Sequence, residues 1–166
     1  MATEKNLKDA FAGESQANRM YLAFAKKAES DGFPQIAKLF RAAAAAETVH
    51  AHAHFRVMGG VKGTAENIQT AINGEGYEFR EMYPAFLKEA EAEKNTGAAI
   101  SFRNALAVEK IHHDLYSAAL ASLKSGKDLA NQDIFICEVC GNTVYGSAPE
   151  KCPICGAAKT KFTKVQ

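Results

Sequence analysis

Residues 42–50 read Ala42-Ala43-Ala44-Ala45-Ala46-Glu47-Thr48-Val49-His50, a run of small residues that ends in a carboxylate and an imidazole three positions apart. Alanine is the strongest helix former, and residues three apart share a helix face. The stretch therefore predicts a helix that packs closely on one side and aims Glu47 and His50 at one point. The pattern returns once, where Ala105 and Ala107 precede Glu109-Lys110-Ile111-His112. A single Glu-x-x-His is ordinarily a solvated surface pair. Two copies, each behind small residues, place ionisable groups on faces suited to burial, where unpaired charge is strongly destabilising.

Working outward, apolar residues recur at helical spacing on both sides of these stretches. Leu7, Ala10, Phe11, Tyr21, Leu22, Phe24, Ala25 and Ala28 predict a first helix over about 4–30, with Thr3 as its N-cap. Ser30-Asp31-Gly32-Phe33-Pro34 breaks it, and a second helix follows over Ile36–Met58 until Gly59-Gly60. A third is predicted over about Thr64–Lys94, irregular at Gly74, Gly76 and Pro84, and a fourth over about Thr96–Lys124. No stretch alternates with the period of a strand. The fold class is all-α, and four long helices with short loops make a four-helix bundle.

The two helix pairs, 3–58 and 64–124, are duplicates. At an offset of 61, Thr3, Asn6, Ala10, Gly13 and Glu14 meet Thr64, Asn67, Ala71, Gly74 and Glu75. At an offset of 62, Tyr21, Ala23, Phe24, Lys26, Ala28 and Glu29 meet Tyr83, Ala85, Phe86, Lys88, Ala90 and Glu91, and Glu47 and His50 meet Glu109 and His112. One residue has thus been added between Glu75 and Tyr83, and a π-bulge is the cheapest way for a helix to hold it. That interval contains Glu78.

A carboxylate from each of two helices with a Glu-x-x-His from each of two others is the ligand set of a carboxylate-bridged di-iron or di-manganese bundle. Oxygen-rich sites with imidazoles suit iron or manganese, although affinity alone does not exclude zinc. The candidate ligands are Glu14, Glu47, His50, Glu75, Glu78, Glu109 and His112. Glu78 competes with Glu81; Glu75 is chosen because it matches Glu14, and Glu78 with it. His52, His54 and His113 are left out. Tyr21 and Tyr83 lie seven and eight residues after Glu14 and Glu75; their hydroxyls either orient those carboxylates or belong to core aromatics.

All four cysteines fall after residue 136, as Cys137-Glu-Val-Cys140-Gly and Cys152-Pro-Ile-Cys155-Gly. Paired Cys-x-x-Cys motifs predict one four-thiolate metal site, which suits either iron or zinc. Residues 131–166 are too few for a core of their own, so a metal must hold them together, and residues 1–130 form the helical domain.

Charge narrows the function classes. The 166 residues carry 20 Lys+Arg against 19 Asp+Glu, which argues against a nucleic-acid partner. No uninterrupted apolar stretch nears the roughly 18 residues of a membrane span. Met1-Ala-Thr-Glu-Lys-Asn has no secretory layout, so a cytoplasmic protein is expected. With five acidic residues committed to a metal site, the remaining acidic groups are clearly outnumbered, and a basic surface could steer an acidic redox partner.

Phe11-Ala-Gly-Glu14-Ser-Gln-Ala, Glu47-x-x-His50, Gly74-Glu75-x-x-Glu78 with Glu81-Met-Tyr-Pro84, Glu109-x-x-His112 and the two cysteine pairs together resemble the rubrerythrin family over essentially the whole chain. The resemblance implies a ferritin-like di-iron bundle followed by a rubredoxin-like module. It implies Glu47 and Glu109 as bridging carboxylates, Glu14 and Glu75 as terminal ones, His112 as a nitrogen ligand, and exchange between Glu78 and His50 as one iron changes oxidation state. Two irons in the bundle and a third held by Cys137, Cys140, Cys152 and Cys155 are the implied cofactors, with zinc or manganese able to replace them in isolated protein. The implied activity is reduction of hydrogen peroxide to water, a peroxidase in oxidative-stress defence. Electrons would come from an external NADH-linked reductase or a rubredoxin; the chain has no Rossmann fingerprint of its own.

The connector Gly59-Gly-Val-Lys-Gly63 departs from longer ones in the family. A ferritin-like arrangement makes the second and third helices parallel and needs a crossover of roughly 30 Å, whereas five residues reach at most about 18 Å. Either the helices run simply up and down, or one chain's first pair packs on another's second pair in a domain-swapped homodimer. Two rival functions remain: a ferritin-class ferroxidase, which has no need of a cysteine relay, and a zinc-ribbon interaction protein.

Overall fold

The computed structural model describes residues 1–166, which divide into two compact units, Met1–Lys62 and Gly63–Gln166. In the first, α1 (Ala2–Ser30) and α2 (Pro34–Val57) form a hairpin. The chain reverses at Gly32, whose φ of 83° favours glycine, and Pro34 opens α2 at a position where no amide hydrogen is needed. Ala25, Ala28, Ala37, Ala44 and Ala51 are buried along the seam. Small side chains there let the backbones come close enough for Asn18 Nδ2 to donate to Ala44 O (2.7 Å) and to Thr48 Oγ1 (2.8 Å). Thr3 does not cap α1. The helix begins two residues earlier, at Ala2, which leaves Thr3 inside the first turn, and the terminal ammonium bonds Glu4 Oε2 at 2.8 Å.

In the second unit α3 (Thr64–Tyr77) passes into a π-helical stretch, Glu78–Met82, and continues as α4 (Tyr83–Ala92). The added residue is housed where the repeat offset changes, and Pro84 follows directly after the π stretch as the second residue of α4. After a turn through Lys94 (φ 58°), α5 (Thr96–Lys124) runs back along α3 and α4. Asn95 caps it, its Oδ1 accepting from Ala98 N at 3.1 Å.

The duplication extends to packing that the residue alignment did not reveal. Tyr21–Phe40 and Phe24–Phe40 ring centroids stand 6.2 and 5.6 Å apart, and the corresponding Tyr83–Phe102 and Phe86–Phe102 pairs repeat both distances. Arg41 pairs with Glu29 at 3.2 Å, and Arg103 with Glu91 at 2.8 Å.

The cysteine-bearing segment adds the only strands: β1 (Ile134–Cys137), β2 (Thr143–Tyr145) and β3 (Phe162–Lys164), in the antiparallel order β2-β1-β3. These strands belong to the small four-cysteine domain expected after the helices, although no alternating pattern marked them in the sequence. Strands of three or four residues are too short for period-two alternation to emerge; β1 and β2 flank the Cys137–Cys140 knuckle, and β3 returns from beyond Cys155 to pair with β1. No helix is long and apolar enough to cross a membrane.

Candidate metal centre

Each unit carries its own cluster. On α1 and α2, Glu14, Glu47 and His50 bring one ligand atom each to within 4.8 Å of the others; on α3 and α5, Glu75, Glu109 and His112 do the same. The copies agree closely. His50 Nδ1 lies 2.8 Å from Glu47 Oε2 and 3.8 Å from Glu14 Oε1; His112 Nδ1 lies 2.8 Å from Glu109 Oε2 and 3.9 Å from Glu75 Oε2. In both, Nδ1 is the ring nitrogen turned toward the carboxylates.

The environments differ. The His50 side chain is 54% exposed within its hairpin, and its bonds run only through Nδ1. His112 is 27% exposed, and its Nε2 meets Thr143 Oγ1 at 3.0 Å. Sequence reasoning missed Thr143, because nothing in its spacing from His112 signals a contact.

Glu78, the first residue of the π stretch, stands outside the three-group cluster but close enough for its charge to act on Glu75 and Tyr83. It is partly buried, while its rival Glu81 is exposed. Burial pushes the Glu75 carboxyl up to about 7, aided by the hydrogen bond and negative charge of Glu109, with His112 working the other way. Burial and then Glu109 also raise Glu78. Such crowding of carboxylates is what a bound cation relieves, so the donor set fits a divalent metal.

Tyr21 and Tyr83 sit in their aromatic triads, and neither hydroxyl bonds a carboxylate. Tyr83 still senses the cluster: burial first, then Glu78, Glu109 and Glu75, raise its phenol and keep the proton on it. Of the histidines set aside, His113 takes Arg80 Nη2 at 3.2 Å and Asp114 Oδ1 at 3.2 Å. His52 lines a cavity of about 300 Å³ on the hairpin with Phe11, Asn18 and Arg19.

The four thiols converge. Cys137 and Cys155 Sγ are 3.7 Å apart, and Cys140 and Cys152 Sγ 3.6 Å. A tetrahedral site with metal–sulfur bonds of about 2.3 Å has edges of about 3.8 Å, so the cage fits such an ion. Gly141 (φ 84°) and Gly156 (φ 77°) close the two knuckles, their amides donating to Cys137 O and Cys152 O. At Cys152 burial opposes the thiolate, but hydrogen bonds from the backbone amides of Cys155 and Ile154 together with those from the Cys140 and Cys155 thiols bring the thiol down to about 7. Asn142, 1% exposed, adds Nδ2 at 3.7 Å from Cys152 Sγ.

Comparison with known proteins agrees with this geometry. The rubrerythrin family model matches residues 5–120, and the model of the rubrerythrin rubredoxin-like domain matches residues 135–163. The chain is 39% identical over 170 residues to Rubrerythrin-2 of Clostridium acetobutylicum, covering 94% of this chain and 92% of that one. It is 37% identical over 177 residues to nigerythrin of Nitratidesulfovibrio vulgaris, covering 98% and 86%. A solved structure of partially reduced nigerythrin superposes with a TM-score of 0.59 at 35% identity, over 98% of this chain and 86% of that one; a fully reduced, all-ferrous state gives the same score. Paired carboxylate–histidine clusters on helices, followed by a four-cysteine knuckle, place this chain in the rubrerythrin family of di-iron proteins.

Proposed function

We propose that the protein is a non-haem di-iron peroxidase that reduces hydrogen peroxide to water. The observation that supports the reading is the repeated cluster geometry, 2.8 Å from the imidazole to the carboxylate of its own Glu-x-x-His in both copies. Glu14, Glu47 and His50 form one half of the ligand set, and Glu75, Glu78, Glu109 and His112 the other. Residues 1–130 act as the catalytic domain and 131–166 as the electron entry. When bound, an iron pair supplies two electrons to the peroxide O–O bond, and with two protons the products are two waters. The residues hold that chemistry in place. Glu47 and Glu109 would serve as the bridging carboxylates and Glu14 and Glu75 as the terminal ones, while Tyr83, its phenol raised, keeps a proton with Glu78 nearby.

His112 and His50 take different parts. Held at Nε2 by Thr143, His112 is the constant nitrogen ligand. His50, bonded through Nδ1 alone, is free to give way to Glu78. Cys137, Cys140, Cys152 and Cys155 would hold an iron that, when bound, would supply one-electron chemistry, with an external NADH-linked reductase or a rubredoxin as the donor. The protein works as a homodimer in which α1 and α2 of one copy pack on α3 and α5 of the other. Supporting this, α2 is 24 residues long, about 36 Å, while the residues between Val57 and Thr64 reach at most roughly 21 Å.

Single-turnover reoxidation tests the activity. The fully reduced protein is mixed with hydrogen peroxide or with oxygen, and the return of the visible bands is followed. Faster reaction with peroxide is expected; equal or faster reaction with oxygen assigns the chain to the ferroxidase class instead.

A further inference from the structure

Between the two metal-binding regions of Gly63–Gln166 runs a short polar connection. Thr143, the first residue of β2, offers its Oγ1 to His112 Nε2 at 3.0 Å and donates its own hydroxyl proton to Gly141 O at 3.1 Å. With that proton committed, the hydroxyl can only accept from the ring, so Nε2 carries hydrogen and Nδ1 is the nitrogen left for a metal. Gly141 follows Cys140 directly and lies over Val108, where a β-carbon would stand 3.7 Å from Val108 Cγ1. Val108 is 2% exposed and one turn of α5 before His112. Asn142, between Gly141 and Thr143, accepts Cys137 N through its carbonyl and reaches Cys152 Sγ with its amide. Thr143 is therefore placed by the same knuckle that gathers the thiols.

From this we infer that filling the four-cysteine site tightens metal binding at the Glu75–Glu109–His112 cluster, with Thr143 as the positioning residue that transmits the effect. The inference rests on the metal-centre reading above and adds a coupling to it. A module of about 33 residues has no core to hold its shape without an ion, so Thr143 reaches His112 only once the thiols are gathered. A hydrogen bond to the far nitrogen of a ligand imidazole fixes its orientation and tautomer, and losing such a bond typically costs about 10- to 100-fold in metal affinity. Linkage makes the effect reciprocal: metal at the cluster also favours the filled knuckle. The duplicated cluster at His50 has no such partner and is its internal control.

Manganese(II) is the probe, because it favours oxygen and imidazole over thiolate. Full-length protein with and without one equivalent of zinc in the cysteine site is titrated with manganese(II), and free ion is followed by its electron paramagnetic resonance signal. Zinc is expected to tighten one class of manganese site by about 10- to 100-fold in the wild type and in Thr143→Ser, and to leave Thr143→Val unchanged. In zinc-loaded, manganese-free protein the His112 Hε2 proton should give a slowly exchanging resonance that Thr143→Val loses. A zinc-dependent gain that survives in Thr143→Val overturns the coupling while leaving the metal centre intact. Absence of manganese binding in every form overturns the coupling together with the reading beneath it.

Discussion

His50 and Glu47 meet at 2.8 Å through Nδ1 and Oε2, the same separation as His112 and Glu109, yet only the second pair is held from behind. Removing the two imidazoles should therefore have unequal effects. His112→Ala is expected to lose at least about tenfold in iron affinity whatever the oxidation state. His50→Ala should keep its iron when oxidised and react slowly after reduction. Iron analysis with Mössbauer spectra of both states measures the difference, and equal losses would contradict the assigned roles.

Carboxylate crowding predicts a pH dependence for the metal-free protein. Glu75 titrates at about 7 folded against 4.5 ordinarily, so the folded chain holds its proton more tightly. The stability this confers is complete below about 4.5 and drains away as pH rises through 7. Thermal unfolding in chelator between pH 4.5 and 8 should show a falling midpoint, flattened in Glu75→Gln. Added divalent metal should reverse the trend, because metal binding displaces that proton.

Cys152→Ser should remove the ion from the cysteine cage and unfold residues 134–166 without melting the helices. Limited proteolysis and far-ultraviolet circular dichroism distinguish the two regions; a protease-resistant C-terminal segment in the variant would show that the module holds itself together.

At the α1–α2 seam Ala44 is 1% exposed, and its carbonyl accepts from Asn18. Ala44→Leu should destabilise by about 1–3 kcal/mol through overpacking. Surface-exposed Leu39→Ala serves as the control and should change little. Denaturant midpoints at constant slope make the comparison.

The proposed exchange of helix pairs is tested by light scattering on the metal-loaded protein. A dimer is expected, and a stable, fully loaded monomer is incompatible with it.

Periodicity and duplication make the helices legible in the sequence. Glu14, Glu47 and His50 could be chosen because a second copy repeated them, and the offset change from 61 to 62 located the π stretch later found at Glu78–Met82. Thr143 could not be found that way: it follows the cluster by 31 residues, on a strand of three, and its contact depends on how a metal knuckle seats against Val108. The same limit hid β1–β3, where pairing is set by tertiary closure and leaves little local pattern. Thr3 failed as a cap for a different reason. The helix starts at Ala2, so Thr3 lies within the first turn and not at the position before it, from which a side-chain oxygen can accept from the first amides.

The π stretch at Glu78–Met82 also bears on polarity. Duplication alone yields two equal clusters of two carboxylates and one imidazole. The single extra residue sets a further carboxylate, Glu78, near one copy and none near the other, so like ions held by the two clusters would face unlike fields. If the two clusters meet as proposed, a carboxylate-rich half and a carboxylate-poor half would give an otherwise symmetric pair of metals a direction.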